Sequence, residues 1–454
     1  AHDRCRLMIV VGAGIAGLVF ARDRAIAGDD VVVVDAAEVP GGVLASRTLG
    51  DLTIDAGAES FALTRPEALD LVRELGLESA VVSPVRANAQ LALPDRLAPL
   101  PAGMLGIPLD LDDEKVVAII GREAAQAAAA LDLPDNEVPI TVGAIVRSRM
   151  GDAVADHLVD PVLSGVHATR ADRAEADTVL PRLRPLLATG LTLREAAAAM
   201  RGSLGSAGSP VASLHGGMAT LAAALHADLL ERGVDVRLGS AVSSVQRTPN
   251  GRWLVVTADG LMKDERVCVA VPGAAAASIL SEVPEIAGPL GSVQGSDVAV
   301  AALLVRNEQL DGAPVGSGVL VSPHRTDVQA KAMTHASAKW QWIADAAGPG
   351  RHVLRLSYGR AGEPVSMADD AIIAAAIADA ATLTGCRITP ADVEDAWVQW
   401  WRGSLVDPLP GHSDLMRRAR EAAGSQPGLA VVGSCLGGNG IAGIVADTRG
   451  CARE

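Results

Sequence analysis

The residues with the clearest chemical potential are three glycines near the start of the chain, Gly12, Gly14 and Gly17, which follow an apolar run. In a G-x-G-x-x-G turn, the first glycine makes the tight turn from a strand and the second lets backbone amides approach a pyrophosphate. The third lets the following helix pack closely on the strand. The amides and the dipole at the helix N-terminus then bind the phosphate charge. This spacing predicts a dinucleotide-binding site.

An acidic residue follows at the distance that such a site requires. A second apolar run, residues 31–34, ends in Asp35, eighteen residues after Gly17. In dinucleotide-binding folds, an acid near this distance hydrogen-bonds the ribose hydroxyls. A lone glycine-rich turn is a weak signal, but here strand, helix, second strand and acid occur in the expected order. The predicted contacts from this part are Gly12, Ala13, Gly14, Ile15, Ala16, Gly17, Asp35 and Ala36.

The residues after Asp35 resemble the flavoprotein amine oxidase superfamily. Its members continue into an E-x-x-x-R-x-G-G turn and then a G-[AP]-E segment beside the flavin, which match residues 35–42 and 57–59 here. Dehydrogenases that use NAD do not usually carry this extension, so the resemblance implies FAD as the cofactor. Two positions depart from the family. The family's Glu is Asp35, which keeps a carboxylate on a shorter stem, and its Arg is Val39, which removes a cation.

Later segments resemble the bacterial coproporphyrinogen and protoporphyrinogen oxidases of this superfamily, and the actinobacterial-type branch fits best. Residues 160–168 resemble their D-P-x-x-S-G-V-Y-A segment, and residues 401–412 align with W-x-x-x-L-P-Q-Y-x-x-G-H. Residues 432–443 resemble their closing flavin-contact turn and helix. The family's Tyr is His167 here, and its Pro-Gln-Tyr is replaced by residues 406–408. The resemblance covers essentially the whole chain.

The resemblance implies an oxidation in haem biosynthesis. Coproporphyrinogen III would lose six electrons in three rounds to give coproporphyrin III, with FAD as the hydride acceptor. Three molecules of oxygen would be reduced to three molecules of hydrogen peroxide. Protoporphyrinogen IX is the closest alternative substrate, because it differs by two vinyls in place of two propionates. An amine oxidase or carotenoid desaturase with the same FAD frame, and a non-catalytic FAD-binding protein, are further alternatives. No Ser-His-Asp or paired-carboxylate pattern is present, so no catalytic residue is assigned.

The resemblance also implies which residues contact the flavin and the substrate. The further cofactor contacts are Gly42, Val43, Gly57, Ala58, Glu59, Ser60, Val242, Gly438, Asn439, Gly440 and Ile441. The substrate candidates are Arg96 and Arg170, as partners of propionates, and His167. A solvated surface position is the stronger alternative for each arginine, and packing at a helix end is an equal alternative for His167.

Aromatic side chains are scarce, with two Phe, one Tyr and six Trp, so alanine, valine and leucine must fill the core. Trp397, Trp400 and Trp401 nevertheless lie close together. Alternation along a strand places Trp397 and Trp401 on one face. They could form a stacking platform for a macrocycle or belong to the core, and the core role is the stronger expectation.

Charge and cysteine content narrow the class of protein. The formal net charge is −15, so no basic surface for nucleic acid is expected. Five cysteines are scattered without C-x-x-C spacing, which indicates reduced thiols in the cytoplasm and neither a disulfide framework nor a metal site. The resemblance leaves open a peripheral contact with the inner face of the cell membrane, transfer of the product to ferrochelatase, and either a monomer or a homodimer.

Two apolar segments could be mistaken for membrane elements. Residues 7–21 would score as the apolar part of a signal peptide, but their glycines occupy the dinucleotide positions. Residues 429–446 are almost free of charge, yet several glycines interrupt them, which favours a strand, a turn and a helix. No transmembrane helix is predicted.

The fold class predicted is α/β, with a Rossmann-like FAD-binding domain, a mixed-sheet substrate-binding domain and a helical insertion. The FAD-binding domain comprises residues 1–80, 210–285 and 425–454. The helical insertion, the membrane-binding type of the family, covers residues 90–205, and the substrate-binding domain covers residues 286–424.

Helical periodicity adds three local predictions. Residues 66–75 should form a helix that ends before Gly76, because glycine favours the left-handed conformation after a helix. Residues 114–131 and 142–159 are helix-periodic with alanine-rich faces.

Overall fold

The computed structural model describes residues 7–63, 65–85, 88–135, 137–201 and 211–453. Within them the fold is α/β, as predicted, with a parallel sheet, a larger mixed sheet and a group of helices. Cys5 lies outside the described residues.

The strands, numbered in chain order, build two main sheets and several short ribbons. They are β1 Leu7–Val11, β2 Asp30–Val34, β3 Ser46–Leu49, β4 Leu52–Asp55, β5 Phe61–Ala62, β6 Val81–Val82, β7 Ala89–Ala92, β8 Leu97–Pro99, β9 Gly103–Met104, β10 Ile107–Pro108, β11 Val211–Leu214, β12 Asp235–Arg237, β13 Val242–Arg247, β14 Trp253–Thr257, β15 Gly260–Asp264, β16 Val267–Val269, β17 Gly295–Arg306, β18 Gly318–Val321, β19 Ala332–His335, β20 Arg351–Tyr358, β21 Val393–Val406 and β22 Leu429–Val431.

The helices cover the faces of these sheets or form the insertion. They are α1 Ile15–Ile26, α2 Pro66–Glu74, α3 Glu114–Ile120, α4 Arg122–Leu131, α5 Val142–Met150, α6 Asp152–Val154, α7 Asp160–His167, α8 Ala176–Val179, α9 Leu183–Ala188, α10 Leu193–Arg201, α11 Ala219–Glu231, α12 Gly273–Ile279, α13 Pro284–Gly291, α14 Ala336–Lys339, α15 Gln341–Ala347, α16 Asp369–Thr384, α17 His412–Gly424, α18 Ser434–Gly437 and α19 Ile441–Arg453.

The parallel sheet draws its strands from three distant parts of the chain, in the order β12-β2-β1-β16-β22. Both faces are covered, as is usual for parallel sheets. Met8 and Val10 pack with α1, α11 and α19, whereas Ile9 and Val11 pack with α12, α13, α17 and the β13–β15 meander. This explains the unbroken apolar run that precedes the glycine turn. The predicted strand, turn and helix of residues 429–446 are also present.

One domain boundary differs from the prediction because of this packing. Residues 286–424 were expected to form the substrate-binding domain, but Met416, Ala419 and Ala423 of α17 pack on the parallel sheet. Helix α17 therefore belongs to the nucleotide side, together with α13. The boundary between the substrate-binding domain and the nucleotide side therefore lies at the end of β21 and not near residue 424.

The mixed sheet has the order β21-β17-β20-β19-β18-β7-β8. Alternate residues of β17 face opposite layers: Ala301 and Leu303 pack under α16, and Ala302 and Leu304 pack under α15 and the β3–β4 hairpin. Strands β7 and β8 form one edge, with β7 parallel to β18. Residues 90–99, which were predicted to open the helical insertion, therefore belong to this sheet.

The insertion is a cluster of short helices, α3 to α10, around one apolar core. The predicted helix at residues 114–131 is broken at Gly121, whose φ is +84°, and that at residues 142–159 is broken at Gly151, whose φ is +81°. Left-handed glycines end helices, so these two positions divide the segments. Among the described residues, no helix combines the length and the apolar character needed to cross a bilayer.

Candidate flavin and substrate site

A cavity of about 600 Å³ connects the parallel sheet with the mixed sheet. Gly12, Gly14 and Asp35 line its nucleotide end, where β1 and β2 terminate. Val300 of β17 and Leu320 of β18 line the other end. Ligands of open α/β sheets bind outside the carboxyl ends of the strands, which is where the nucleotide end lies.

Two of the fingerprint glycines are required by close backbone packing. Gly12 has a φ of +110°, and a Cβ atom there would lie 2.5 Å from the carbonyl oxygen of Ala270. A Cβ atom at Gly17 would lie 1.8 Å from the carbonyl oxygen of Gly12. These distances allow no side chain, so helix α1 approaches β1 and β16 only because both residues are glycine.

Gly14 has a different role, because a Cβ atom there would meet no atom within 4 Å. It precedes the first residue of α1, which has no side-chain cap and no acid in its first turn. Gly14, Ile15 and Ala16 line the cavity, so the amides at this helix end are available to an anion. The geometry fits the pyrophosphate of FAD.

Asp35 is held rigidly at the end of β2. Its carboxylate accepts hydrogen bonds from the amides of Ala13, at 2.5 Å, and Ala37, at 2.7 Å. Each carboxylate oxygen has a further lone pair, which leaves room to accept from a ribose hydroxyl. Asp35 lines the cavity, and its contact with the ribose stays a prediction.

The flavin end of the cavity is lined by residues from the start and from the end of the chain. The predicted residues here are Gly42, Val43, Gly57, Ala58, Glu59, Ser60 and Asn439. Asn439 is fixed to the end of β21, since its side-chain amide exchanges hydrogen bonds of 2.8 and 2.9 Å with the backbone of Val406.

Seven predicted cofactor residues lie outside the lining of the cavity: Ala13, Gly17, Ala36, Val242, Gly438, Gly440 and Ile441. Gly17 allows α1 to pack against the glycine turn, and the amide of Ala13 donates a hydrogen bond to Asp35. Val242 is half-buried against the core of the parallel sheet. Residues 270–272 and 433–434 also line the cavity. Residues 433–434 belong to the segment that resembles the closing flavin-contact turn, but neither stretch was named as a cofactor contact. They follow β16, which pairs with β1, and β22, which pairs with β16, and that strand order places both ends at the same edge of the sheet.

Trp401 forms part of the wall, and Trp397 does not. The Trp401 indole lines the cavity and donates from Nε1 to the carbonyl oxygen of Ala56 at 3.0 Å. A Cβ atom at Gly57 would lie 2.9 Å from the Trp401 ring, so glycine is needed for this contact. Trp397 is buried in the core beneath the β3–β4 hairpin. Trp397 therefore has the core role, whereas Trp401 borders the cavity and a stacking role for it stays a prediction.

Glu59 lies in a buried group of three charges. Arg355 donates to its carboxylate at 2.5 Å and to the carbonyl oxygen of Gly57 at 2.7 Å, and Lys339 binds the other carboxylate oxygen. Burial alone would raise the pKa of Glu59, but the two cations lower it to about 2. Glu59 is therefore a carboxylate at neutral pH, and the group as a whole carries one positive charge.

A buried basic side chain, Lys331, lines the substrate side of the cavity. Lys331, 3 % exposed, precedes β19. Burial and the charge of Arg360 lower its pKa, which Asp407 raises in part, and the result is about 7. Sequence reasoning did not predict either Lys331 or Arg355, because neither belongs to a recognisable motif.

Two substrate candidates have other roles. Arg96 pairs with Asp95 at the surface and donates to the carbonyl oxygens of Ala118 and Ile119, at the end of α3. Arg170 binds the buried carboxylate of Asp160 at 2.7 Å. Neither arginine lines the cavity. Arg96 therefore occupies a surface position outside the cavity. Arg170 stabilises the turn after α7 through its ion pair with Asp160.

His167 ends α7, next to Gly165 and Val166, which line the cavity. Burial and then the charge of Lys331 lower its pKa to about 4, so the imidazole is neutral at physiological pH. The residue lies beside the cavity and does not line it. This position agrees with packing at the end of a helix, which was the alternative to a substrate contact for His167.

These features together define a class. A glycine turn with an uncapped helix end, an acid at the end of the second strand and an adjoining chamber on a second sheet are typical parts of a flavoprotein oxidoreductase. In agreement, the model of the family of flavin containing amine oxidoreductases matches residues 15–447.

Individual relatives narrow the class. The chain is 33 % identical to the coproporphyrinogen III oxidase of Mycobacterium bovis, over 97 % of this chain and 95 % of that protein. It is 26 % identical to the coproporphyrinogen III oxidase of Bacillus subtilis, over 97 % and 95 %. A solved structure from Exiguobacterium sp. 255-15 superposes with a TM-score of 0.84 and 26 % identity, over 99 % of this chain and 98 % of that one. The chain belongs to the coproporphyrinogen and protoporphyrinogen oxidase family, within the flavin amine oxidase superfamily. It is an FAD-dependent oxidoreductase, as the resemblance implied.

Proposed function

We propose that this protein oxidises coproporphyrinogen III to coproporphyrin III. Molecular oxygen is the final electron acceptor, and three molecules of hydrogen peroxide form for each porphyrin. The observation that carries the proposal is one cavity that joins the nucleotide end to a chamber with apolar walls and buried cations. The names of the relatives in mycobacteria and Bacillus subtilis support the choice of substrate.

FAD supplies hydride acceptance to the reaction when it is bound. The chain's own contribution at the nucleotide end is positioning. The first turn of α1 receives the pyrophosphate, and Asp35 accepts from the ribose. Residues 57–60 and Asn439 hold the flavin ring between the first and last segments of the chain.

The chamber matches the two chemical parts of a porphyrinogen. Val298, Val300, Leu320 and Trp401 offer apolar surface for the macrocycle and exclude water. Lys331 and Arg355 line the same chamber, and cations of this kind attract carboxylate arms. Such local cations are needed because a protein with a net charge of −15 does not attract anions overall.

The reaction makes modest demands on acid–base chemistry. Loss of hydrogen from the porphyrinogen is driven by formation of an aromatic macrocycle, so the protein's task is to bind and orient the ring. Glu59 is paired with two cations and is therefore unsuited to accept a proton. We assign no general base.

Protoporphyrinogen IX is the second candidate substrate. The chain is 28 % identical to the protoporphyrinogen oxidase of Bos taurus, over 67 % of this chain and 68 % of that protein. The two macrocycles share their core, so the apolar walls suit both. Comparison of kcat/KM for the two porphyrinogens decides between them, and we expect the higher value for coproporphyrinogen III.

The test is aerobic turnover of purified, FAD-loaded protein, followed by porphyrin fluorescence and oxygen uptake. We expect three oxygen molecules consumed for each coproporphyrin III formed, with catalase returning half of that oxygen. Putrescine serves as the probe for amine oxidation. Turnover of putrescine without porphyrin formation would replace the proposal with an amine oxidase, and flavin binding without any turnover would indicate a non-catalytic protein.

The cellular setting follows from the same function. We place the enzyme in the cytoplasm, with its product passed to ferrochelatase and a peripheral contact with the inner face of the membrane. Leu131, Leu133 and Ile140 of the insertion are at least half exposed and offer apolar surface for that contact. Co-sedimentation with anionic vesicles tests it. We expect substitution of Leu133 by Ser to reduce the bound fraction.

A further inference from the structure

Lysine is rare in this chain, and its distribution is uneven. Only four lysines occur among 39 basic residues. Lys115 and Lys263 are exposed, whereas Lys331 and Lys339 lie on either side of β19, next to the cavity. Arginine is the usual cation of this protein, so a buried lysine and a half-buried lysine close together require an explanation.

The backbone fixes Lys331 between two strands of the mixed sheet. Its amide donates to the carbonyl oxygen of Ser357 at 2.8 Å, and its carbonyl oxygen accepts from the amide of Val321 at 3.0 Å. The residue is 3 % exposed and lines the cavity together with Leu320 and Ser357. Its position is thus set by the sheet and does not depend on a flexible loop.

Lys331 and Lys339 differ in their partners. Lys339 is paired with the carboxylate of Glu59. Among the described residues, no acid forms an ion pair with Lys331, and no oxygen accepts a hydrogen bond from its ammonium group. A buried ammonium group without a partner is costly, which is why the pKa of Lys331 falls to about 7. An anionic ligand in the cavity would supply the missing partner and keep the ammonium group charged.

The charged groups that face Lys331 do not supply that anion. Arg360 repels it, and His167 is neutral because its pKa is lowered to about 4. Asp407 attracts Lys331 from beyond ion-pair distance, and its carboxylate already accepts from Ser296 Oγ at 2.6 Å. Burial raises the pKa of Asp407, which weakens it further as a counter-ion.

We propose that Lys331 binds one carboxylate arm of the porphyrinogen through a charge-assisted hydrogen bond. The proposal rests on the proposed function for the identity of the ligand. Arg355 shares the chamber, but both of its terminal nitrogens are occupied, one by Glu59 and the other by the carbonyl oxygen of Gly57, and Nε alone lacks a partner. The ammonium group of Lys331 has three N–H donors and, among the described residues, no acceptor for them. Four carboxylate arms on coproporphyrinogen III make this contact more favourable than in a ligand with neutral arms.

The test measures binding of coproporphyrin III to FAD-loaded protein by porphyrin fluorescence. Lys331→Met keeps the length of the side chain and removes the charge, and we expect affinity to fall about 10- to 100-fold. Lys331→Arg keeps the charge and should remain within about threefold of the wild type. Lys263→Met, on exposed β15, is the matched control and should leave affinity unchanged.

A neutral ligand separates charge recognition from general damage to the cavity. We expect Lys331→Met to bind the tetra-amide of coproporphyrin III as the wild type does, because that ligand has no carboxylate. Unchanged affinity of Lys331→Met for coproporphyrin III, or an equal loss of affinity for both ligands, would overturn the proposal. Flavin content and thermal midpoint confirm that each variant is folded.

The binding and turnover experiments test the role of Lys331 and the proposed function separately. A wild-type protein that does not oxidise coproporphyrinogen III would refute the proposed function. A wild-type protein that oxidises it, with Lys331→Met still binding coproporphyrin III normally, would refute only the role of Lys331.

Discussion

The two ends of the cavity differ in the kind of atoms that line them. The nucleotide end consists mainly of backbone: a glycine turn, the uncapped start of α1 and the rigid carboxylate of Asp35. The substrate end consists of side chains from the mixed sheet, with valines, a tryptophan and buried cations. Backbone sites need particular residues at fixed spacing, whereas side-chain chambers need residues that only the tertiary fold brings together.

This difference explains how the two ends should respond to substitution. Changes at the nucleotide end act through steric conflict between backbone atoms, so a single methyl group has large effects. Changes at the substrate end remove individual charges or contacts, so their effects are smaller and depend on the ligand. The following predictions test this contrast, in order of decreasing effect.

The largest effect is expected from a methyl group at Gly17. Gly17→Ala would place Cβ 1.8 Å from the carbonyl oxygen of Gly12, so α1 must separate from β1. We expect loss of the folded protein, at a cost of about 4 kcal/mol or more. Soluble yield and flavin content measure it.

Gly14→Ala is the matched control within the same turn, because its Cβ meets no atom within 4 Å. We expect a folded protein whose affinity for FAD is reduced about tenfold, since the methyl group enters the space next to the pyrophosphate. Wild-type affinity for FAD in this variant would show that the pyrophosphate does not approach Gly14.

Removal of the Glu59 charge should destabilise the substrate end. Glu59→Gln leaves Lys339 and Arg355 close together without an anion, and breaking such a buried group costs about 3 kcal/mol. The thermal midpoint of the FAD-free protein measures the loss. Glu265→Gln removes an exposed carboxylate and should shift the midpoint little. Equal midpoints for the two variants would contradict a structural role of the Glu59 group.

A pH-dependent effect of similar or smaller size is expected at Asp55. Burial raises the pKa of this carboxyl to about 6, although the amides of Met218 and Ala219 lower it in part. The folded state therefore binds the proton more tightly than the unfolded chain. The stability that this provides is fully present below the unfolded pKa and is lost as the pH rises through about 6.

Asp55→Asn removes this titration. The wild type should lose about 3 kcal/mol of unfolding free energy between about pH 4 and pH 7 from this group, and the variant should not. Denaturant unfolding at several pH values measures the slope. An identical pH dependence in both proteins would show that Asp55 is not protonated in the fold.

The smallest effect is expected at Arg96. Its guanidinium contacts Asp95 and the end of α3, outside the cavity. Arg96→Ala should leave kcat/KM for coproporphyrinogen III within about twofold of the wild type, because exposed ion pairs contribute little. A tenfold rise in KM in this variant would place the substrate in a different part of the molecule.

The nucleotide end could be predicted from the sequence because its chemistry is local. Gly12, Gly14 and Asp35 lie within 24 consecutive residues, and all three line the cavity. The helix at residues 66–75 was predicted for the same reason, and α2 with Gly76 at a φ of +70° confirms it. FAD as the cofactor is confirmed by the family to which the chain belongs.

The substrate end could not be predicted in the same way. Lys331 precedes β19, Arg355 lies in β20 and Trp401 lies in β21, and no spacing in the sequence relates them. Arginine is abundant in this chain, so the choice of Arg96 and Arg170 had little to distinguish them from other arginines. The scarcity of lysine was the one signal that could have indicated Lys331.

The most direct test of the account is anaerobic mixing of FAD-loaded protein with coproporphyrinogen III, followed by the visible absorbance of oxidised flavin. We expect rapid bleaching, and then coproporphyrin fluorescence and return of the flavin absorbance once oxygen is admitted. A flavin that stays oxidised with both coproporphyrinogen III and protoporphyrinogen IX would contradict the central claim that this cavity oxidises porphyrinogens.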